Sequence, residues 1–82
     1  MYKVVPTHQF ERAYKRLNRK IQDQVDKTID LLMIDPRHPS LRTQKRKEDK
    51  TLWQARVTSS YRLYFQMKGE TITLISVTAH EK

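Results

Sequence analysis

The run Leu52–His80, LWQARVTSSYRLYFQMKGETITLISVTAH, leaves this chain few folds to choose from. Along Leu52–Thr58, Trp53, Ala55 and Val57 point one way, and Gln54 and Arg56 the other. Tyr61–Met67 alternates again. Tyr61, Leu63, Phe65 and Met67 share one face; Arg62, Tyr64 and Gln66 share the opposite one. Period two over this length predicts antiparallel strands with one face on a core. The three-residue loop Thr58-Ser59-Ser60 keeps the apolar faces in register. It sets Val57 opposite Tyr61, Ala55 opposite Leu63 and Trp53 opposite Phe65. A two-residue loop would set apolar side chains against polar faces, and burial fixes register.

A third strand follows Gly69, the single glycine. Thr71–Val77 is apolar on both faces, with Ile72 and Leu74 on one and Ile75 and Val77 on the other. Such a strand is more often central than edge. Lys68-Gly69-Glu70 suits a tight hairpin with Gly69 at positive φ. An even loop, Gly69-Glu70, would set Phe65 against Leu74 and Met67 against Ile72.

Upstream the period becomes helical. Tyr2–Val5 is a strand candidate ended by Pro6, and its pairing partner is left open. Phe10, Ala13, Tyr14 and Leu17 form one apolar stripe. Thr7 suits the N-cap, with Glu11 near the positive end of the helix dipole. Asn18 marks a break. A second helix runs from about Arg19 or Lys20 to Ile34, with Ile21, Val25, Ile29 and Leu32 as its stripe and Met33 beside it. Asp35-Pro36 stops it, because proline disfavours a helical residue before it. Pro36–Arg42 is extended or turning, anchored by Leu41. Thr43–Thr51 is too polar for a core. The expectation is therefore one α+β domain over residues 1–82, in the order β-α-α-β-β-β. A helical hairpin covers one face of a three- to four-stranded, mostly antiparallel sheet.

Several chemistries are excluded. Without cysteine there is no disulfide or thiolate. One glycine cannot build a phosphate loop. His8, His38 and His80 are scattered without accompanying carboxylates, so neither metal nor other cofactor is expected. Ser59 and Ser60 read as turn formers. No apolar run approaches the ~18 residues of a membrane span. Met1–Pro6 is too short for a signal peptide and stops at proline. A cytoplasmic location is expected.

What remains is charge. Seventeen Lys and Arg against nine Asp and Glu give +8, which favours an anionic partner. The hairpin register sets Arg56 directly opposite Arg62, and like charges across a ladder are destabilising. Water or an anion is expected between them, and a guanidinium fork suits phosphate. Tyr64 and Gln54 share that face. The plain alternative is a solvated face of a non-catalytic basic binding module.

This residue set suits one reaction. RNA carries its own nucleophile, the 2′-hydroxyl. An enzyme need only align it, take its proton, stabilise charge on the phosphate and protonate the leaving oxygen. Arginines serve the phosphate. A histidine serves as acid or base, and so does a lysine crowded by like charges in Lys45-Arg46-Lys47. No metal is required.

The order of elements resembles the RelE/ParE superfamily of bacterial toxin–antitoxin systems. So do the helix stop DPRHPSLR (Asp35–Arg42), the basic segment Lys45–Lys47, WQARVTSSYRLYF (Trp53–Phe65) and the closing TLISVTAH that ends at His80. The pattern is similar to the cytotoxic translational repressors of that superfamily. The resemblance implies a type II toxin. Its RelE-like branch cleaves mRNA on the ribosome and so inhibits translation; its ParE-like branch inhibits DNA gyrase. Either is held inactive by a cognate antitoxin, through which alone promoter DNA is bound. By motif position it implies catalytic roles for Lys45, Lys47, Arg56, Arg62 and His80. It implies RNA-binding roles for Arg42, Arg46, Gln54 and Tyr64. Related chains commonly continue past the histidine with an acidic residue and a tyrosine. Here Glu81-Lys82 follow, so His80 would substitute for the tyrosine.

Overall fold

The computed structural model describes residues 1–79. Among these the chain forms β1 (Lys3–Pro6), α1 (His8–Lys15), α2 (Arg19–Ile34), β2 (Gln44–Lys45), β3 (Trp53–Arg56), β4 (Tyr61–Lys68) and β5 (Thr71–Ala79). A single 3-10 turn, Pro39–Leu41, precedes β2. The five strands make one sheet in the order β1-β5-β4-β3-β2. The architecture is α+β, as expected, with one more strand than the three or four foreseen. The addition is β2, two polar residues that pair with β3 antiparallel through Gln44–Gln54 and Lys45–Trp53. β1 takes the far edge and runs parallel to β5, with Lys3 opposite Thr71 and Val4 opposite Ile72.

Capping explains the helices. Thr7 Oγ1 accepts from the Phe10 N–H at 3.1 Å and donates to the Leu74 carbonyl at 2.8 Å, so one hydroxyl both starts α1 and docks it on β5. Asn18 Oδ1 accepts from the Ile21 N–H at 2.9 Å and starts α2. Asp35, ahead of Pro36, ends α2 with its N–H on the Leu31 carbonyl.

The core lies between the helices and one sheet face. Phe10, Val25, Leu32 and Leu41 meet Ala55, Leu63, Phe65, Ile72, Leu74 and Val77, all buried. Thr28, within the apolar stripe of α2, is buried because its hydroxyl donates to the Gln24 carbonyl at 2.9 Å. Trp53 is only half-buried, at the rim of this face. Its ladder partner toward the edge is Lys45, so no apolar neighbour covers that side.

The β3–β4 register matches the expectation: Trp53–Phe65, Ala55–Leu63 and Arg56–Arg62. The β4–β5 hairpin matches at its turn, with Phe65–Leu74, Met67–Ile72 and Gly69 at φ 59°. Beyond Phe65 it departs. The pairing steps from Phe65–Leu74 to Tyr64–Ser76, leaving Ile75 without a partner. This bulge flips the facing of everything after it. Val77 therefore joins Ile72 and Leu74 in the core, instead of sharing the other face with Ile75.

The two helices are tied by Tyr14 Oη, which donates to Asp26 Oδ1 at 2.8 Å. That bond, then burial, raises the Tyr14 phenol above its ordinary value. Only the neutral phenol donates, so the contribution is intact below about pH 10 and fades as pH rises through the folded-state value. Tyr14→Phe should cost about 0.5 kcal/mol at pH 7, an exposed bond being weak. Denaturant unfolding measured against pH should show the gap between variant and parent closing above about pH 10.

Candidate nucleic-acid interface

The sheet face turned away from the core collects the polar half of each alternation. Gln44, Gln54, Tyr64 and Ser76 lie in one row across β2–β5 by their pairings. Arg46, one residue past β2, turns its side chain onto this row. Its Nη1 donates to Gln54 Oε1 and to Tyr64 Oη, each at 3.2 Å. The guanidinium carbon lies 5.2 Å from the Tyr64 ring centroid, a cation–π distance. Below it opens a cleft of about 330 Å3 between Arg46, Leu52, Tyr64, Ile75, Ser76 and Thr78, with Gln9 of α1 at its border. The bulge aims Ile75 and Ser76 here. Alternation alone already sets Ile75 on the face away from Ile72 and Leu74, but nothing in it signals the turn that brings Ser76 to the same face.

Arg46 is held but not neutralised. Its Nε stands 3.4 Å from Glu48 Oε1, across a pair whose carboxylate is 74% exposed. Glu48's own backbone N–H, then the Arg46 charge, keep that carboxyl below the usual carboxylate range. An exposed pair of this kind contributes little and yields readily to a competing anion.

Arg56 and Arg62 face each other at the loop end of the β3–β4 ladder. The expectation of water or an anion between them meets a third solution. Arg62 Nη1 folds back onto the hairpin loop and donates to the carbonyls of Thr58 at 2.8 Å and Tyr61 at 3.1 Å, with Ser59 at 3.4 Å. Arg62 thereby braces the loop. Arg56 has neither an ion-pair nor a side-chain hydrogen-bond partner among the described residues. It stands roughly 7 Å along β3 from Gln54.

The remaining candidates scatter. Lys45 lies on the opposite side of the sheet with its Nζ 5.3 Å from the Trp53 ring centroid. Lys47 is exposed in the loop after Arg46. Arg42 ends the 3-10 turn at φ 49°, ψ 45°, a left-handed backbone for a residue with a side chain. His80 lies outside the described residues. The structure thus brings together Arg46, Gln54 and Tyr64, with Arg56 on the same face. No group of three or more His, Asp or Glu among the described residues could hold a metal ion. No described helix is long and apolar enough to cross a membrane.

A family model described as the ParE toxin of type II toxin–antitoxin system, parDE, matches residues 4–82. The chain belongs to the ParE toxin family. The toxin's fold is similar to that of the YoeB/ParE toxin from Agrobacterium tumefaciens, at a TM-score of 0.81 and 18% identity over 96% of this chain and 99% of that one. It is also similar to a chain of the intact E. coli RelBE toxin–antitoxin complex, at 0.78 and 21% over 100% of both chains. A third likeness is to the archaeal RelE–RelB complex from Pyrococcus horikoshii OT3, at 0.75 and 19% over 95% and 93%. At these identities the likeness is one of fold. No curated protein sequence matches the toxin.

Proposed function

We propose that this toxin is a ribosome-dependent mRNA endoribonuclease that inhibits translation and is silenced by a cognate antitoxin. The observation that carries this reading is the Arg46 guanidinium, fixed by Gln54 and Tyr64 over an open cleft, with Arg56, which has no partner among the described residues, on the same face. Fixed donors aimed at a phosphate cost no reorganisation when charge develops on it.

The reaction asks little else. The RNA 2′-oxygen attacks the adjacent phosphorus while its proton passes to a base. The bond from phosphorus to the 5′-oxygen breaks, and an acid returns a proton to that oxygen. The products are a 2′,3′-cyclic phosphate and a 5′-hydroxyl. In this reading Arg46 and Arg56 hold the phosphate oxygens. Tyr64 and Gln54 orient Arg46, and the Leu52–Ile75 floor takes a base. Lys47, exposed in the loop after Arg46, and His80 are the proton carriers. Lys45 is set aside as acid or base because it lies over Trp53 on the other side.

A second reading has its own support: the matching family model is that of a ParE toxin, so inhibition of DNA gyrase competes. Pulse labelling after induction separates the two. Early loss of protein synthesis, with coding-region cuts bearing cyclic phosphate ends, is expected. Loss of DNA synthesis while translation continues would transfer the function to gyrase. The antitoxin belongs to the proposal because the fold is shared with chains in the E. coli RelBE and archaeal RelE–RelB complexes. Co-expression with an adjacent small reading frame should yield a tight complex and relieve growth arrest. Promoter DNA would be bound through that complex alone.

The Arg46–Glu48 pair provides a finer test. Glu48→Gln removes the competitor for the guanidinium and should tighten RNA binding about two- to fivefold, the range of an exposed ion pair. Fluorescence anisotropy with a labelled oligonucleotide measures this directly.

A further inference from the structure

β2 has little of its own to hold it in place. Its two residues, Gln44 and Lys45, are both exposed and pair with Gln54 and Trp53 of β3. The ladder runs one step further, where the Arg46 N–H donates to the Leu52 carbonyl at 2.9 Å. Burial fixes register only where a strand carries apolar side chains, so a polar strand this short is free to slip. A slip matters here. Side chains alternate along a strand, so moving Lys45 opposite Gln54 or Leu52 would turn Arg46 to the other side of the sheet, away from Tyr64. One ring stands against that slip. Lys45 Nζ lies 5.3 Å, and the Arg37 guanidinium carbon 5.5 Å, from the Trp53 ring centroid. The two cations come from different parts of the chain, Arg37 from the turn after α2 and Lys45 from β2. Thr43 Oγ1 donates to the Pro36 carbonyl at 2.7 Å and ties those parts together just before β2 begins.

We infer that Trp53 is a positioning residue for Arg46. By holding Lys45 on its own side of the sheet, the indole sets the register of β2 and so turns Arg46 onto the polar face. The inference rests on the reading of Arg46 as the group that holds the phosphate. Indole offers a cation the best of the aromatic faces, and this one is half-buried, which strengthens the attraction. The Arg46 bonds to Gln54 and Tyr64, each at 3.2 Å, are available only in the register that Trp53 holds. Lys45 becomes an anchor rather than a proton carrier. Displacing a group that acts on the transition state by about 1 Å can cost on the order of 10²-fold in rate, and a slip of one residue moves a side chain further than that.

Trp53→Leu keeps an apolar side chain without a π face, and Trp53→Phe keeps a weaker face. Cleavage on programmed ribosomes should fall at least on the order of tenfold in Trp53→Leu and stay within about threefold of the parent in Trp53→Phe. Lys45→Met should lower cleavage about threefold in the parent and not at all in the Trp53→Leu background. Loss of a proton carrier would cost the same in both. A second readout needs no RNA. In NMR spectra, nuclear Overhauser contacts between the Arg46 Nε–H and the Tyr64 ring protons should be present in the parent and in Trp53→Phe, and lost in Trp53→Leu. The Arg37→Met, Lys45→Met double variant should lose them too. Both of its positions are exposed, so it removes the cations without touching the core and decides the matter even if Trp53→Leu fails to fold. Contacts retained in that double variant or in folded Trp53→Leu, or absent from the parent, overturn the inference. So does a Lys45→Met loss that is equal with and without Trp53. A parent that shows the contacts but cuts no RNA removes the nuclease reading, and the contacts alone then decide the role of Trp53.

Discussion

Phe65→Ala should abolish the cooperative fold at physiological temperature. Phe65 is 0% exposed and paired with Trp53 on one side and Leu74 on the other, at the residue where the β4–β5 register shifts. Truncating a buried Phe costs about 3–5 kcal/mol. A domain of this length holds only about 4–12 kcal/mol in total. The thermal midpoint should fall by roughly 15–30 °C. Trp53→Ala makes the contrast. The indole is half-buried at the rim, so its loss should cost about 1–2 kcal/mol, with the fold retained. If thermal melts show equal losses for the two, the core is centred further toward β3 than described here.

The second large effect is on function. Arg46→Ala and Arg56→Ala should each lower RNA cleavage on the order of 10²-fold, as for other groups that stabilise transition-state charge. Arg56→Ala should leave stability within about ±0.5 kcal/mol, since its guanidinium has no ion-pair or side-chain hydrogen-bond partner among the described residues. Arg62→Ala differs. It gives up the bonds to the Thr58 and Tyr61 carbonyls and should cost about 1 kcal/mol of stability. Cleavage on programmed ribosomes, read beside urea unfolding, distinguishes these fates. Full cleavage by both Arg46→Ala and Arg56→Ala would remove the anion site from this face.

The parts of this molecule readable from residues alone are those where burial leaves a single choice. The β3–β4 register was readable because one slip would expose Leu63 and Phe65. Both helix starts were readable because Thr7 and Asn18 carry the cap chemistry themselves. The place of β1 was not, because a parallel partner as far along the chain as Thr71–Leu74 leaves no local turn signal. Nor was the bulge: Ile75 is an ordinary strand residue, and its lack of a partner is set by the ladder as a whole. The sign of the polar face was plain in the charge count. Which member of Lys45-Arg46-Lys47 reaches that face was not, because facing follows from the Lys45–Trp53 pairing of a strand too short and polar to foresee. A guanidinium turned onto its own loop carbonyls, as in Arg62, leaves no trace in residue order at all.

The same parallel edge shapes how the toxin comes into being. β1 and α1 are made first, yet both find their partner in β5, through Lys3–Thr71 and the Thr7–Leu74 bonds. Closing so long a loop is entropically costly, and such non-local pairing slows folding. On a ribosome, the helical hairpin can form early, while the sheet must wait for Thr71–Ala79 to emerge. The polar face spans β2 to β5, so the row that ends in Ser76 also waits. On the proposed reading, a nascent chain therefore gains its activity only once β5 has joined the sheet.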